Sequence, residues 1–252
     1  MSRIIGIHGA FHQLWGPHEV ANRWIPAIRD GLWHAGTTID PADVTIAFYG
    51  DLFRANTTDG RPSDEELIEL AQDSGLADSI EAFAGDDGLD LLAQAIGKRS
   101  LRQLINQLGR YLADDELRAE VRDRLAREVT EQTDVIIAHS MGTVVAYETL
   151  CEHLEWSVKT FITIGSPLGG EWVFNLLRPG PEDGIGQWPG SIESWINIAS
   201  VGDDACSEEP HLANRFGERV RDLGVDNGHR AHDPEPYLNA PTTGNALADA
   251  LG

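Results

Sequence analysis

The chain has 252 residues, of which 41% are hydrophobic and 24% charged, the balance of a folded globular chain and not of a collagen-like or disordered one. Nineteen Lys and Arg against 41 Asp and Glu leave a net charge of −22 with no basic run, which argues against nucleic acid and anionic membranes as partners. No apolar run approaches the roughly 18 residues that span a bilayer, and the short run Ile4-Ile5-Gly6-Ile7 lacks the h-region length and cleavage site of a signal peptide, so the expected location is the cytoplasm.

In chain order, short apolar runs at Arg3–His8, Val44–Tyr49, Val135–His139, Thr160–Gly165 and Trp195–Ser200 read as strands. Their near-continuous apolar character suits a mostly parallel sheet covered by helices on both faces. Between the first two, Val20, Trp24, Ile28 and Leu32 recur at helical spacing, with Pro26 predicting a kink or a late start. From Leu52 to Thr133 no strand is evident. Ser63 and Glu66 form a capping box ahead of Leu67, Ile68 and Leu70. Leu101, Leu104, Ile105, Leu108 and Leu112 make one apolar face, and Leu117, Val121, Leu125 and Val129 another. Gly60, Pro62, Gly75 and Gly85-Asp86-Asp87-Gly88 separate these helices. Residues 52–133 are therefore expected to form a helical insertion, a lid or extra packing, within one α/β domain spanning 1–252. Thr143–Leu154 and Asn245–Leu251 complete the helices. Cys151 and Cys206 lack zinc or CxxC spacing and read as reduced structural thiols.

The string Val135-Ile136-Ile137-Ala138-His139-Ser140-Met141-Gly142-Thr143 runs a strand into a serine between small residues, with a helix following. That is the setting of a nucleophile elbow. The turn is sharp enough that a large side chain two positions either side of the serine would clash, and here those positions hold Ala138 and Gly142. The helix after it points its dipole toward a developing oxyanion. Three other segments agree. His8-Gly9 ends the first strand, where a turn can offer the N–H of Ala10, or of Phe11, together with that of Met141. Asp203 and Asp204 follow the Trp195–Ser200 strand. His229 and His232 lie on a late polar loop, so the order is Ser, Asp, His along the chain. His139 reads as packing beside the serine, and His8, His12 and His18 form no convincing metal set.

On Ile4–Gly9, Ala138–Gly142, Ile164-Gly165-Ser166-Pro167-Leu168, Asn197–Asp203, and His232 with Pro236-Tyr237-Leu238, the chain resembles the lipase/esterase-like serine hydrolases of the α/β-hydrolase superfamily. The resemblance implies Ser140 as nucleophile, His232 as general base and acid, and Asp203 as the carboxylate that orients it. Asp203 is preferred to Asp204 for its spacing from Asn197, and His232 to His229 for its spacing to Tyr237-Leu238. Asp226 and Asp233 also lie within reach of a histidine, but neither follows a core strand. Ala10 and Met141 would form the oxyanion hole, while Phe11, His12 and Trp15 would contact substrate. Ser166 is expected to shape a turn. The implied reaction is hydrolysis of a carboxylic ester through an acyl-enzyme on a small-molecule acyl substrate, with no metal or organic cofactor. A thioesterase, lactonase, acyltransferase or cyclase would use the same residues, and a non-catalytic binding protein on this fold is the remaining alternative.

Overall fold

The computed structural model describes residues 3–54, 62–78, 99–203, 205–206 and 212–252, with side chains described from 105 onward in the helix that begins at Arg99. Gly60, Gly85-Asp86-Asp87-Gly88 and Asp204, and the side chains of Leu101 and Leu104, lie outside the described residues.

Six strands form one sheet: β1 (Ile4–Ile7), β2 (Val44–Ala47), β3 (Val135–His139), β4 (Thr160–Ile164), β5 (Ser194–Ser200) and β6 (Val220–Val225). Their order is β2-β1-β3-β4-β5-β6, and every neighbouring pair is parallel. The helices are α1 (Pro17–His34), α2 (Asp64–Asp73), α3 (Arg99–Ala113), α4 (Asp115–Ala126), α5 (Met141–Glu152), α6 (Glu171–Phe174), α7 (Ala213–Phe216), α8 (Pro234–Asn239) and α9 (Pro241–Leu251). With the serine turn directly after β3 in the middle of the sheet, this is an α/β-hydrolase-like fold.

Alternate residues along each strand leave for opposite faces. Val135 and Ile137 of β3 join Ile4, Ile162 and Ile196 in a core against α1, α8 and α9. Ile136 and Ala138 join Ile5, Phe161 and Trp195 in the core against α5. Both layers are dry: Val20, Trp24, Ile28 and Leu32 of α1 are each at most 1% exposed. Burial of each such aliphatic side chain contributes about 1.5–3 kcal/mol, which is why a strand read as uniformly apolar is covered on both sides.

Two expectations need adjustment. First, α1 does not start late but runs from Pro17 to His34 with Pro26 inside it. Only one intrahelical N–H is lost there, and burial of the Trp24–Ile28 stripe outweighs it. Second, β6 was not anticipated. Its sequence Val220-Arg221-Asp222-Leu223-Gly224-Val225 sits on the sheet edge, half-exposed, so it carries charges that an interior strand excludes. Within residues 52–133 the described helices are α2, α3 and α4, and α4 packs on α5 ahead of β3. The capping box at Ser63 and Glu66 is present, and α2 packs on α3.

A buried clasp fixes α3 and α4 to α5. Arg118 of α4 donates from Nε to Glu148 Oε2 at 2.9 Å and from a terminal nitrogen to Glu148 Oε1. Tyr111 of α3 donates to Glu148 Oε2 at 2.6 Å, and the Arg178 N–H to Oε1 at 3.0 Å. Arg118 also donates to the Leu176 carbonyl at 3.0 Å. The two charged side chains are 2% and 0% exposed, so each depends on the other for its burial.

Candidate active site

The parallel arrangement places all six strand carboxyl ends on one edge, and the side chains singled out in the sequence gather there. At the end of β3 the backbone enters Ser140 with φ 52° and ψ −130°, a conformation that L residues rarely adopt. Its N–H is held by the Ile164 carbonyl at 3.1 Å. The turn has no spare room. A Cβ on Gly142 would lie 2.4 Å from the His8 carbonyl oxygen, and one on Gly9 would lie 2.7 Å from the Ser140 Cβ. Ser166 is tied into the neighbouring turn, where it pairs with Thr143 Oγ1 at 2.9 Å and accepts the Leu168 N–H at 3.2 Å.

Ser140 Oγ lies 2.9 Å from His232 Nε2. His232 Nδ1 lies 2.8 and 3.0 Å from the two Asp203 oxygens. A carboxylate only accepts, so Nδ1 carries the proton and Nε2 presents its lone pair to the serine hydroxyl. The Asp203 side chain is fully buried, whereas that of His232 is 36% exposed. Burial alone would penalise the Asp203 charge. Hydrogen bonds from His232, from Tyr237 and from the Ala205 N–H outweigh that penalty and hold its carboxyl below the ordinary aspartate range. Tyr237 was noted in the sequence only for its spacing. Its hydroxyl donates to Asp203 Oδ2 at 2.6 Å and accepts the Ser200 N–H at 2.7 Å, joining the end of β5 to the carboxylate.

His139 is buried under the backbone of the loop that carries His232. Its Nε2 donates to the His232 carbonyl at 2.8 Å, while Nδ1 is buried without a partner. Burial, reinforced by the adjacent His232, pushes its pKa well down, so the ring is neutral.

The turn after β1 is fixed by two more imidazoles. His8, fully buried, donates from Nδ1 to the Gly9 carbonyl at 2.7 Å and accepts the Tyr49 N–H on Nε2 at 3.2 Å. His12 Nδ1 is 2.9 Å from the Ala10 carbonyl and 3.2 Å from that of Gly9. Because the peptide is planar and trans, a Gly9 carbonyl held on one side turns the Ala10 N–H to the other. The N–H groups of Ala10 and Met141 donate to no acceptor among the described residues. The Phe11 N–H, by contrast, is taken by Gln107 Oε1 of α3 at 2.9 Å, which removes Phe11 as a free donor. Gln107 in turn donates to Gln13 Oε1 at 2.7 Å. Phe11 sits at φ 73°, a left-handed value for a non-glycine residue.

A cavity of about 260 Å³ opens on Ser140 and His232 and is lined by Ala10, Phe11, His12 and Trp15, so the three residues expected to contact substrate all face it. Arg23, Arg230, Asp233 and Glu235 are the charged residues of its lining. Among the alternatives, His229 is exposed on the 228–230 turn and away from this chain of hydrogen bonds. Asp226 accepts the Gly228 N–H, and Asp233 pairs with Arg230. His18 is exposed on α1. Gln107 and Tyr237 carry no local sequence signal, since their partners lie 96 and 34 residues away.

No protein-family model matches the chain, and no curated protein matches it. Among solved structures, the crystal structure of the esterase domain from a Rhodothermus marinus protein is similar over 98% of this chain and 84% of that one, with 16% identity and a TM-score of 0.41. No described helix is long and apolar enough to cross a membrane.

Proposed function

We propose that this chain is a serine hydrolase that cleaves carboxylic esters through an acyl-enzyme. The observation that carries the reading is the unbroken relay of 2.9 Å from Ser140 Oγ to His232 Nε2 and 2.8 Å from His232 Nδ1 to Asp203, mounted on a strained turn between a strand and a helix. Ser140 Oγ attacks the acyl carbon while its proton passes to His232 Nε2. The carbonyl electron pair collects on oxygen, opposite the N–H groups of Ala10 and Met141 and the first turn of α5. Collapse breaks the bond to the alcohol oxygen, which takes the proton from His232. A water molecule then repeats the cycle on the acyl-enzyme, gives its proton to His232 and releases the acid and Ser140. Asp203 holds the Nδ1–H tautomer throughout and balances the imidazolium charge.

Intact mass after treatment with a fluorophosphonate tests this reading. One adduct on the wild type and none on Ser140→Ala supports an activated serine, and no adduct on the folded wild type overturns it. Replacing Ser140 also removes ester hydrolysis, with a fall in kcat on the order of 10⁴ or more.

A further inference from the structure

His12, in the lining of the cavity beside Ser140, has one ring nitrogen with a partner and one without among the described residues. His12 directs Nδ1 at two carbonyl oxygens, those of Ala10 at 2.9 Å and Gly9 at 3.2 Å. Carbonyls only accept, so Nδ1 must carry the proton. Burial pushes the His12 pKa down, so the ring is neutral and Nε2 is left as a bare acceptor. Among the described residues no protein hydrogen bond reaches it. The ring is held edge-on to Trp15 at 4.9 Å and tilted against His8 at 4.5 Å, so it cannot turn without breaking both contacts.

The charged side chains of the cavity are engaged with one another. Arg230 pairs with Asp233 at 2.5 Å and Glu235 at 3.0 Å, and Arg23 lies 3.6 Å from Glu235 and over the Trp15 ring. Both His232 nitrogens and His139 Nε2 are bound as described, and His139 Nδ1 is buried. The loop of Arg230, His232, Asp233, Pro234 and Glu235 lines the cavity together with His12. The histidine that protonates the leaving oxygen must face the alcohol portion of an ester, and His232 lines this cavity as His12 does.

Resting on the serine-hydrolase reading, we infer that His12 Nε2 accepts a hydrogen bond from a second hydroxyl on the alcohol portion, so that the favoured substrates are monoesters of diols or polyols. A simple alkyl ester leaves that nitrogen without a partner once water is displaced, and a site built around a hydroxyl discriminates against analogues lacking it.

The test compares 2-hydroxyethyl, 2-methoxyethyl and propyl butyrate on the full chain. The methoxy compound keeps the oxygen and removes only the proton to be donated. The wild type is expected to show kcat/KM about tenfold higher for the hydroxyethyl ester than for either of the others. His12→Phe, which retains a ring between His8 and Trp15, is expected to bring the ratio to about one. Equal rates on the hydroxyethyl and methoxyethyl esters in the wild type overturn the inference, and this comparison stands even if the variant does not fold. Failure to hydrolyse any of the three while the fluorophosphonate still labels Ser140 overturns it too. Absence of labelling overturns the parent reading instead.

Discussion

Gln107 accepts the backbone N–H of Phe11 at 2.9 Å, a contact from the helical region following β2 to the turn that carries Ala10. Phe11 is in a left-handed conformation, φ 73°, which is costly for a residue with a side chain and persists only where neighbours enforce it. Gln107 is 3% exposed, so its carboxamide is packed in place as well as bonded. Replacing it with Leu keeps the volume and removes the acceptor. The turn then relaxes and the Ala10 N–H loses its aim. Turnover of an ester by Gln107→Leu is expected to fall on the order of tenfold, less than the 10²–10³ for outright loss of an oxyanion donor. Adding Phe11→Gly, which makes the left-handed backbone free of strain, is expected to recover part of that loss. Steady-state kinetics on the two single variants and the double variant measure it.

Asp203 is saturated with donors, which makes its two neighbours separable. Asp203→Asn presents an amide to His232 and favours the wrong tautomer, with an expected loss of about 10⁴ in kcat at pH 7. Tyr237→Phe keeps the carboxylate but removes one donor and leaves the buried Ser200 N–H without its acceptor. That variant is expected to lose about 1–3 kcal/mol of stability and to show a much smaller drop in kcat. Urea unfolding alongside kinetics distinguishes the two effects.

The Arg118–Glu148 pair makes a prediction about partners. Arg118→Met strands a fully buried carboxylate and is expected to cost about 3–5 kcal/mol. The double variant with Glu148→Leu removes the stranded charge and is expected to be more stable than Arg118→Met alone. The midpoints of denaturant unfolding decide it.

His139 makes stability depend on pH. Its folded pKa lies well below 6.5, mainly because it is buried. Below pH 6.5 the unfolded chain takes up a proton that the folded chain refuses, so stability contributed by neutral His139 is present above 6.5 and lost as pH falls. Relative to His139→Gln, the wild type is expected to lose up to about 1.4 kcal/mol between pH 7.5 and 5.5. Comparison with the variant cancels the changing self-repulsion of the acidic surface. A difference that stays constant across this range would contradict it.

The sequence made the interior of the sheet legible because buried parallel strands are written as unbroken apolar runs, and β3 was bounded to the residue. The edge strand β6 was not, since half of its surface meets water and its Arg221-Asp222 pair reads as loop. Ser140 was visible through the small residues that its turn requires, Asp203 through its place after β5, and His232 through its late polar loop and its spacing to Tyr237-Leu238. What stayed hidden depends on side chains meeting across long stretches of chain. Gln107 on Phe11, Tyr237 on Asp203 and Arg118 on Glu148 obey no local spacing, and a polar residue on a helix looks the same whether it faces solvent or a buried carboxylate.

The clasp of Tyr111, Arg118 and Glu148 has a consequence for motion. It ties α3, α4, α5 and the 176–178 loop at a single buried carboxylate, so none of the three helices can swing out without exposing that charge's partners to solvent. They therefore open as one cooperative unit, and slow amide exchange in α3 and α4 should share the free energy of opening found in α5, the helix behind the serine. Admission of substrate, on this account, does not proceed by α3 lifting away alone.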